Sequence, residues 1–429
     1  MEKKRMNRWL AVGAISLGFV GIGGVACAQD ILATYERVPG NDGVMDRARP
    51  EYDPIGVPLG GFRLFPTFDF TSGYDSNVLR QEYSANIVDS FYFQEAGGFK
   101  LNSDWVRHEL DFVGNVDASH YLDLASENTT NWNIGTTGRL DILRGLSFKA
   151  ITTYGAKHEY RGSPDLPDFA ANPTKFTDLY SEGVLEYHPT NLAVSVGGTF
   201  ERFVYDPTPI KGSATPLENA DRDENVATGY AKIAYEFVPG VATYVKVTYD
   251  NHNFDRTFDR NDLRRSSHGY QLDGGFHFML THLLAGELYG GYFKQYYKAP
   301  LDNGSGVSFG AKMDWYATPV MTVHLDAMRR LIDTTIYYAS NIDSKRVSPS
   351  FDWEVARNVI VQGSVGYERE TFMNILRRDD IYDAGIGAKY LVNQYFDLDA
   401  QYQYKHRHSN MIGLNYNDSN VTVKLAAHL

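Results

Sequence analysis

From Phe62 onward, apolar and polar side chains alternate with a period of two, and no stretch sustains a helical period. The clearest run places Leu110, Phe112, Gly114, Val116 and Ala118 on one face and Glu109, Asp111, Asn115, Asp117 and Ser119 on the other. In the next run, Trp132, Ile134, Thr136, Gly138, Leu140 and Ile142 oppose Asn131, Asn133, Thr137, Arg139 and Asp141. The rule still holds late in the chain, where Phe396, Leu398, Ala400, Tyr402 and Tyr404 oppose Asp397, Asp399, Gln401, Gln403 and Lys405. Such strands have one apolar face and one wet face. In a sandwich the wet face meets bulk water, whereas in a membrane barrel it points inward and the apolar face meets lipid.

Alternation alone does not choose between these architectures, but the connections do. The pattern predicts strands starting near 62, 91, 108, 129, 146, 176, 191, 225, 241, 268, 283, 305, 320, 344, 359, 381, 395 and 420. Every second link is tight: Asp104–Arg107, Leu143–Gly145, His188–Thr190, Val238–Gly240, Thr281–His282, Thr318–Pro319, Arg357–Asn358 and Asn393–Gln394. Most of these carry Pro, Gly, Asn or Asp, which suit turns. Between them lie longer polar stretches such as Pro207–Asn225 and Asn251–Ser267. Short turns on one side and long loops on the other are the pattern of a transmembrane barrel. The expected fold is therefore all-β: a transmembrane antiparallel up-and-down β-barrel of about 18 strands over residues 61–429, with about 20 residues per strand and link. The even count places both ends of the barrel on the tight-turn side. Residues 29–60, with Arg47, Arg49, Pro50, Glu51, Asp53 and Pro54, read as an extended periplasmic N-terminal segment or plug.

The 429 residues are 43% hydrophobic and 14% aromatic, too apolar for a disordered chain. Their mean hydropathy of -0.37 is too low for a bundle of membrane helices. A net charge of -12 argues against nucleic-acid binding. Lys3, Lys4, Arg5 and Arg8 precede a charge-free run from Trp9 to Ala28 that ends Ala26-Cys27-Ala28. This reads as a signal peptide over residues 1–28, in preference to a spanning helix or to a lipid-modified Cys27, since Gly24-Val25-Ala26 lacks the usual large aliphatic residue. Cleavage after Ala28 would leave an exported, cysteine-free chain with a net charge of -15.

Aromatics cluster at both strand ends: Trp105, Tyr187, Phe237, Trp315, Trp353 and Tyr395 by the tight turns, and Tyr74, Tyr121, Trp132, Tyr160, Tyr205, Tyr249 and Tyr297 by the long loops. Two belts of amphipathic rings suit two lipid–water boundaries. The last alternating run, Val421 to Leu429, has an aliphatic final residue where such barrels usually carry an aromatic one.

Several stretches carry a family resemblance. Arg47-Ala48-Arg49-Pro50-Glu51-Tyr52-Asp53-Pro54-Ile55-Gly56, Gly61-Phe62-Arg63-Leu64-Phe65-Pro66 and Gly73-Tyr74-Asp75-Ser76-Asn77-Val78 resemble the entrance of the putative β-barrel porin 2 family. Ser103-Asp104-Trp105-Val106-Arg107-His108-Glu109-Leu110 and Gly138-Arg139-Leu140-Asp141-Ile142 are similar to it as well. The resemblance implies an outer-membrane barrel of Gram-negative bacteria with no catalytic residues, and hints at export of a polysaccharide. The functional expectation is a porin for passive passage of small hydrophilic solutes or ions. The alternative is a conduit or accessory for export of an envelope or extracellular polysaccharide. Expected partners are outer-membrane lipid, lipopolysaccharide and the barrel-insertion machinery, with polysaccharide-export components under the alternative.

If the wet faces point inward, the pore is lined by Glu109, Asp111, Asp117, Arg139, Asp141, Lys149, Asp273, His277, His324, Asp326, Arg330, Asp383, Lys389, Asp397, Asp399 and Lys405, with Lys157 and Asp314 beside them. An acidic excess along such a wall favours cations. His406-Arg407-His408-Ser409-Asn410 resembles the His/Ser/Asn set of outer-membrane phospholipases, but there the His and Ser sit two apart on one face. Here His408 and Ser409 are adjacent and face opposite ways. His324 and Asp326 read as a pore-wall hydrogen-bonding pair rather than a metal or acid–base site. The acidic run Asp221-Arg222-Asp223-Glu224-Asn225 lacks the Gly and spacing of a calcium loop. No catalytic, cofactor or metal set is expected.

Overall fold

The computed structural model describes residues 43–82, 86–280 and 283–429. The expected signal peptide, Cys27, residues 29–42 and the Thr281-His282 turn lie outside the described residues. In chain order the strands are β1 (Val57–Leu59), β2 (Phe62–Asp75), β3 (Ser90–Ser103), β4 (Glu109–Tyr121), β5 (Thr129–Leu143), β6 (Leu146–His158), β7 (Lys175–Tyr187), β8 (Leu192–Tyr205), β9 (Glu224–Val238) and β10 (Val241–Phe254). They continue as β11 (Ser267–Leu280), β12 (Leu284–Tyr296), β13 (Gly304–Thr318), β14 (Met321–Ile332), β15 (Ile342–Ala356), β16 (Val359–Phe372), β17 (Arg378–Asn393), β18 (Phe396–Ser409) and β19 (Tyr416–His428).

Each strand from β2 to β19 pairs antiparallel with its chain neighbour, and β19 pairs with β2 through Val421 opposite Tyr74. Among the described residues the sheet is thereby closed as an 18-stranded barrel, β19 meeting β2, as hydrocarbon demands of a spanning sheet. The short β1, absent from the sequence reading, adds three pairs beside the start of β2 with Val57 opposite Leu64. Tight and long links alternate as the turn residues implied. Gly145 and Gly240 adopt φ of 77° and 82° in two of the tight turns, a region closed to most side chains. Barrel strands run 12 to 16 residues, longer than the 9–11 or so that cross a bilayer, so their loop ends stand in water.

The packing is inverted relative to a soluble protein. On β10, Val245 is 54% exposed while the adjacent Tyr244 is 6% exposed, and Val247 and Tyr249 share the open face with Val245. Around the barrel the same parity exposes Phe68, Ile134, Val196, Leu272, Val365 and Ile386, while charged side chains such as Lys149, Glu182, Asp273 and Asp383 are buried on the opposite face. The apolar faces therefore look outward and the wet faces line the lumen.

The turn-side aromatics Trp105, Tyr187, Phe237, Trp315, Trp353 and Tyr395 are all exposed on the outer face or at its rim. The loop-side belt is thinner than the sequence pattern implies. Trp132 and Tyr249 are exposed, but Tyr121 turns inward onto Tyr92, with ring centroids 5.1 Å apart. Tyr205 lies beneath the Arg222 guanidinium, 4.0 Å from its ring centroid, and Tyr160 meets Lys405 in the lumen. Burial also pushes the Tyr297 phenol well up from its ordinary value. Nearness to a loop in sequence does not set the face; strand parity and loop folding do.

Candidate functional site

The lumen wall is built from the inward residues of 18 strands, and register determines which of them meet. All sixteen sequence-predicted lining residues share the parity of the inner face, and cross-strand pairing joins most of them to partners. Lys149 Nζ lies 2.8 Å from Glu186 Oε2, Lys389 Nζ 2.8 Å from Asp397 Oδ2, and Lys424 Nζ 3.2 Å from Asp399 Oδ2. Arg139 Nε and Asp141 Oδ1 pair at 2.9 Å, and Glu109 stands opposite Arg139. Arg346 bridges Asp383 at 3.0 Å and Glu368 at 3.3 Å, and Arg330 approaches Glu368 at 3.8 Å. His277 stands opposite Glu287, and Asp326 opposite Lys312. His324 is held at both ring nitrogens, by Asp314 at 2.7 Å and Asp352 at 3.1 Å, while Asp326 takes no part in that contact.

A second class of wall carboxylate accepts from neutral donors. Asp111 takes the Ser103 N–H at 2.9 Å, and Asp117 takes Asn131 Nδ2 at 2.9 Å and Gln94 Nε2 at 3.3 Å. Asp273 accepts from Gln271 Nε2 at 2.7 Å and from the Ser308 hydroxyl. Glu182, not among the residues expected from the sequence, accepts Tyr180 Oη at 2.7 Å and Tyr230 Oη at 2.9 Å. Neutral donors leave each carboxylate's charge on the wall, so the summed field of these groups is negative.

Aromatics cover part of the β9–β13 wall. Tyr244 lies over Gly275 and Tyr289 over Gly310, where any Cβ would collide with the ring. Lys232 Nζ sits 3.8 Å from the Tyr244 centroid and Lys246 Nζ 4.7 Å from that of Tyr230. A glycine facing an aromatic on the next strand is the sequence signal that would have found this surface.

At the loop end, residues 159–174 fold across the mouth. Asp165 Oδ1 accepts the Thr335 N–H at 2.8 Å and the Thr334 hydroxyl at 2.9 Å, on the loop after β14, eight strands away around the 18-stranded barrel. Tyr160 Oη lies 3.4 Å from Lys405 Nζ on the inner face of β18, and burial pushes that phenol up to about 12 against the pull of Lys405. Arg407 Nη1 donates to the Gly162 carbonyl at 2.7 Å. Buried ion pairs fix the base of this crossing: Arg161 Nη2–Glu127 Oε1 at 2.6 Å and Arg222 Nη2–Glu159 Oε1 at 2.5 Å. Arg265 anchors the opposing loop through the Thr334 and Ile336 carbonyls, each at 3.0 Å.

At the turn end, residues 43–53 lie against the inner wall of β14–β17. Val44 is buried with Ile360 and Leu391, and its N–H donates to Thr322 Oγ1 at 3.0 Å. Arg47 and Arg49 converge on Glu354 Oε2 at 2.8 and 3.0 Å. Residues 43–53 and 159–174 thus pack on the inner wall at opposite ends of the barrel. The sequence alone leaves open whether residues 29–60 stand outside the lumen or plug it, and a polar loop carries no sign that it folds inward.

The phospholipase-like stretch is not assembled for nucleophilic attack. Ser409 Oγ donates to Asp379 Oδ1 at 2.6 Å, His406 Nδ1 contacts Asn417 at 2.5 Å, and His408 is exposed on the other face.

A family model described as Putative beta-barrel porin 2 matches residues 49–429. No protein of curated function matches the chain in sequence. Among solved structures, the outer membrane protein OpdK of Pseudomonas aeruginosa is 11% identical with a TM-score of 0.44, covering 85% of this chain and 99% of its own. OpdF of the same species, solved in complex with glucuronate, is 10% identical with a TM-score of 0.46, covering 86% and 99%. A BenF-like porin of Pseudomonas fluorescens is 9% identical with a TM-score of 0.46, covering 85% and 99%. The family match, spanning most of the chain, carries the assignment.

Proposed function

Because the chain belongs to the Putative beta-barrel porin 2 family, and is a channel of the bacterial outer membrane, we propose that it passes small hydrophilic solutes and ions passively, cations ahead of anions. Family and fold support a channel. The observation that carries the cation preference is the set of wall carboxylates, Asp117, Glu182 and Asp273, satisfied by neutral donors rather than by Lys or Arg. A permeating cation sees their charge across the lumen, and an anion is repelled by it. The lining places Lys and Arg mainly in pairs with carboxylates, which orient dipolar solutes without reversing the sign of the field.

Lipid and lipopolysaccharide are the partners that the exposed apolar band fits, and the insertion machinery of a Gram-negative envelope would place it there. An export role for a polysaccharide gains no support from the family match. Reconstitution into a planar bilayer under a KCl gradient tests the reading: discrete conductance steps with a cation-selective reversal potential are expected, and the potential should shift toward zero in Glu182→Gln/Asp273→Asn. Absence of steps, or anion selectivity, would overturn it.

A further inference from the structure

Glu224, His252 and Asp333 bring one ligand atom each to within 4.8 Å of one another near the loop end of the lumen. Glu224 is the first residue of β9, and His252 lies on β10 two positions before Phe254, its cross-strand partner, so the two share the inner face diagonally. Asp333 arrives from the loop after β14, three strands beyond β11 in chain order but folded back over the mouth. Glu224 is 8% exposed, and its Oε2 is buried without a hydrogen-bond partner. His252 Nδ1 faces Asp333 Oδ2 at 2.5 Å without hydrogen-bond alignment. On the far side of the ring, Nε2 lies 3.2 Å from Asp250 Oδ1, and Asp250 is itself fixed by Gln295 Nε2 at 2.8 Å.

We propose that Glu224, His252 and Asp333 form a binding site for a divalent cation of the zinc class. One imidazole nitrogen and two carboxylate oxygens are a donor set suited to Zn²⁺, whereas Ca²⁺ and Mg²⁺ favour oxygen alone. Asp250 supplies the outer carboxylate that ordinarily orients a ligating imidazole and fixes its tautomer. Bonds of about 2.0–2.2 Å place tetrahedral ligand atoms roughly 3.4 Å apart, so an ion would open the His252–Asp333 pair from its 2.5 Å by about an ångström and draw in any pair as far apart as 4.8 Å by roughly 1.4 Å, with water at the fourth position. The nearby Arg222 is committed to Glu159 and so does not compete for the two carboxylates. A bound ion would tie the loop 333–341 to the β9–β10 wall. That loop also receives Asp165 and Arg265, so the ion would brace the crossing at the mouth.

The test uses the full chain in detergent, without a histidine tag, stripped with EDTA, equilibrated with ZnCl₂ and desalted. Bound zinc should be one per chain by elemental mass spectrometry, resist excess CaCl₂, and be lost in both Glu224→Gln and Asp333→Asn. Asp333 lies in a loop, so its variant leaves the barrel wall intact, and heat-modifiable migration on gels confirms the fold of each. With Co²⁺ as probe, the visible absorption band should change in His252→Ala. Failure of the wild type to retain zinc, displacement by calcium, or unchanged zinc in both carboxylate variants would overturn the site.

Discussion

Lys405 Nζ lies 4.7 Å from the centroid of the Tyr160 ring, joining the inner wall of β18 to a loop rooted between β6 and β7. Cation–π contacts of this kind contribute about 0.5–2 kcal/mol depending on desolvation. Together with the Arg407 bond to the Gly162 carbonyl, the contact holds one side of the crossing loop down in the lumen. Tyr160→Ala should free that side and raise single-channel conductance with flickering, whereas Tyr160→Phe, which keeps the ring, should stay near wild type. Equal conductance in all three would mean that the loop does not narrow the conducting path.

Orientation of the two faces makes a sharper demand. Val245 points outward in the middle of β10, and Thr248 points into the lumen on the same strand. An arginine on the lipid face near the bilayer centre costs about 2–4 kcal/mol, and one on a wet face costs little. Val245→Arg should therefore lower the unfolding free energy in lipid vesicles by about that much, while Thr248→Arg stays close to wild type and shifts ion selectivity instead. Denaturant titration of both variants in the same vesicles checks the pair, and reversed costs would invert the assignment of faces.

The strand starts were legible because hydrocarbon on one side and water on the other impose a period of two, and every start falls within four residues of its expected position. The larger misses, 420 against Tyr416 and 381 against Arg378, fall where strands rise above the membrane. There Asn417, Asp418 and Ser419 put polar groups on both faces, so the ladder continues without alternation. Parity does not tell which charges meet: Lys149 finds Glu186 only through the β6–β7 register. The crossing of residues 159–174 left no signal, since a polar loop reads alike whether it folds into the mouth or away from it. Glu224, His252 and Asp333 were likewise hidden, being far apart in sequence and joined by a loop.

Two outer loops are clasped by Asp221 and Arg260, whose Nη2 and Nε each lie 2.7 Å from the carboxylate. Burial would raise this carboxyl, but the Arg260 hydrogen bonds outweigh it and hold the group below its ordinary value of 3.8. For a lowered carboxyl, the stabilisation is complete above the unfolded value and is lost as pH falls through the folded one. A fluorescent probe on Thr215→Cys, in a chain freed of Cys27, should report an immobile loop from neutral pH down to about 3.8 and growing mobility below it. Asp221→Asn should be mobile throughout. A loosening centred near neutrality would assign the clasp to another group.

At the opposite end, Glu354 is the acceptor on which the N-terminal stretch depends. Arg49 is nearly buried and also donates to the Val44 carbonyl at 2.7 Å, so removing Glu354 strands a cation beside the apolar contact of Val44 with Ile360 and Leu391. Loss of one partner of a buried pair costs about 3–5 kcal/mol. Arg47 is more exposed and contributes less, and solvent reaching the turn end reduces the penalty further. Taking about 3 kcal/mol, local opening of residues 43–53 in Glu354→Ala should speed amide exchange there roughly 150-fold, with exchange in the barrel strands unchanged. Glu354→Gln keeps an acceptor and should fall between the two. If residues 43–53 gate the turn end, the same ordering will appear in the open-channel current. Faster exchange without any change in current would make the stretch a lining of the wall rather than an obstruction.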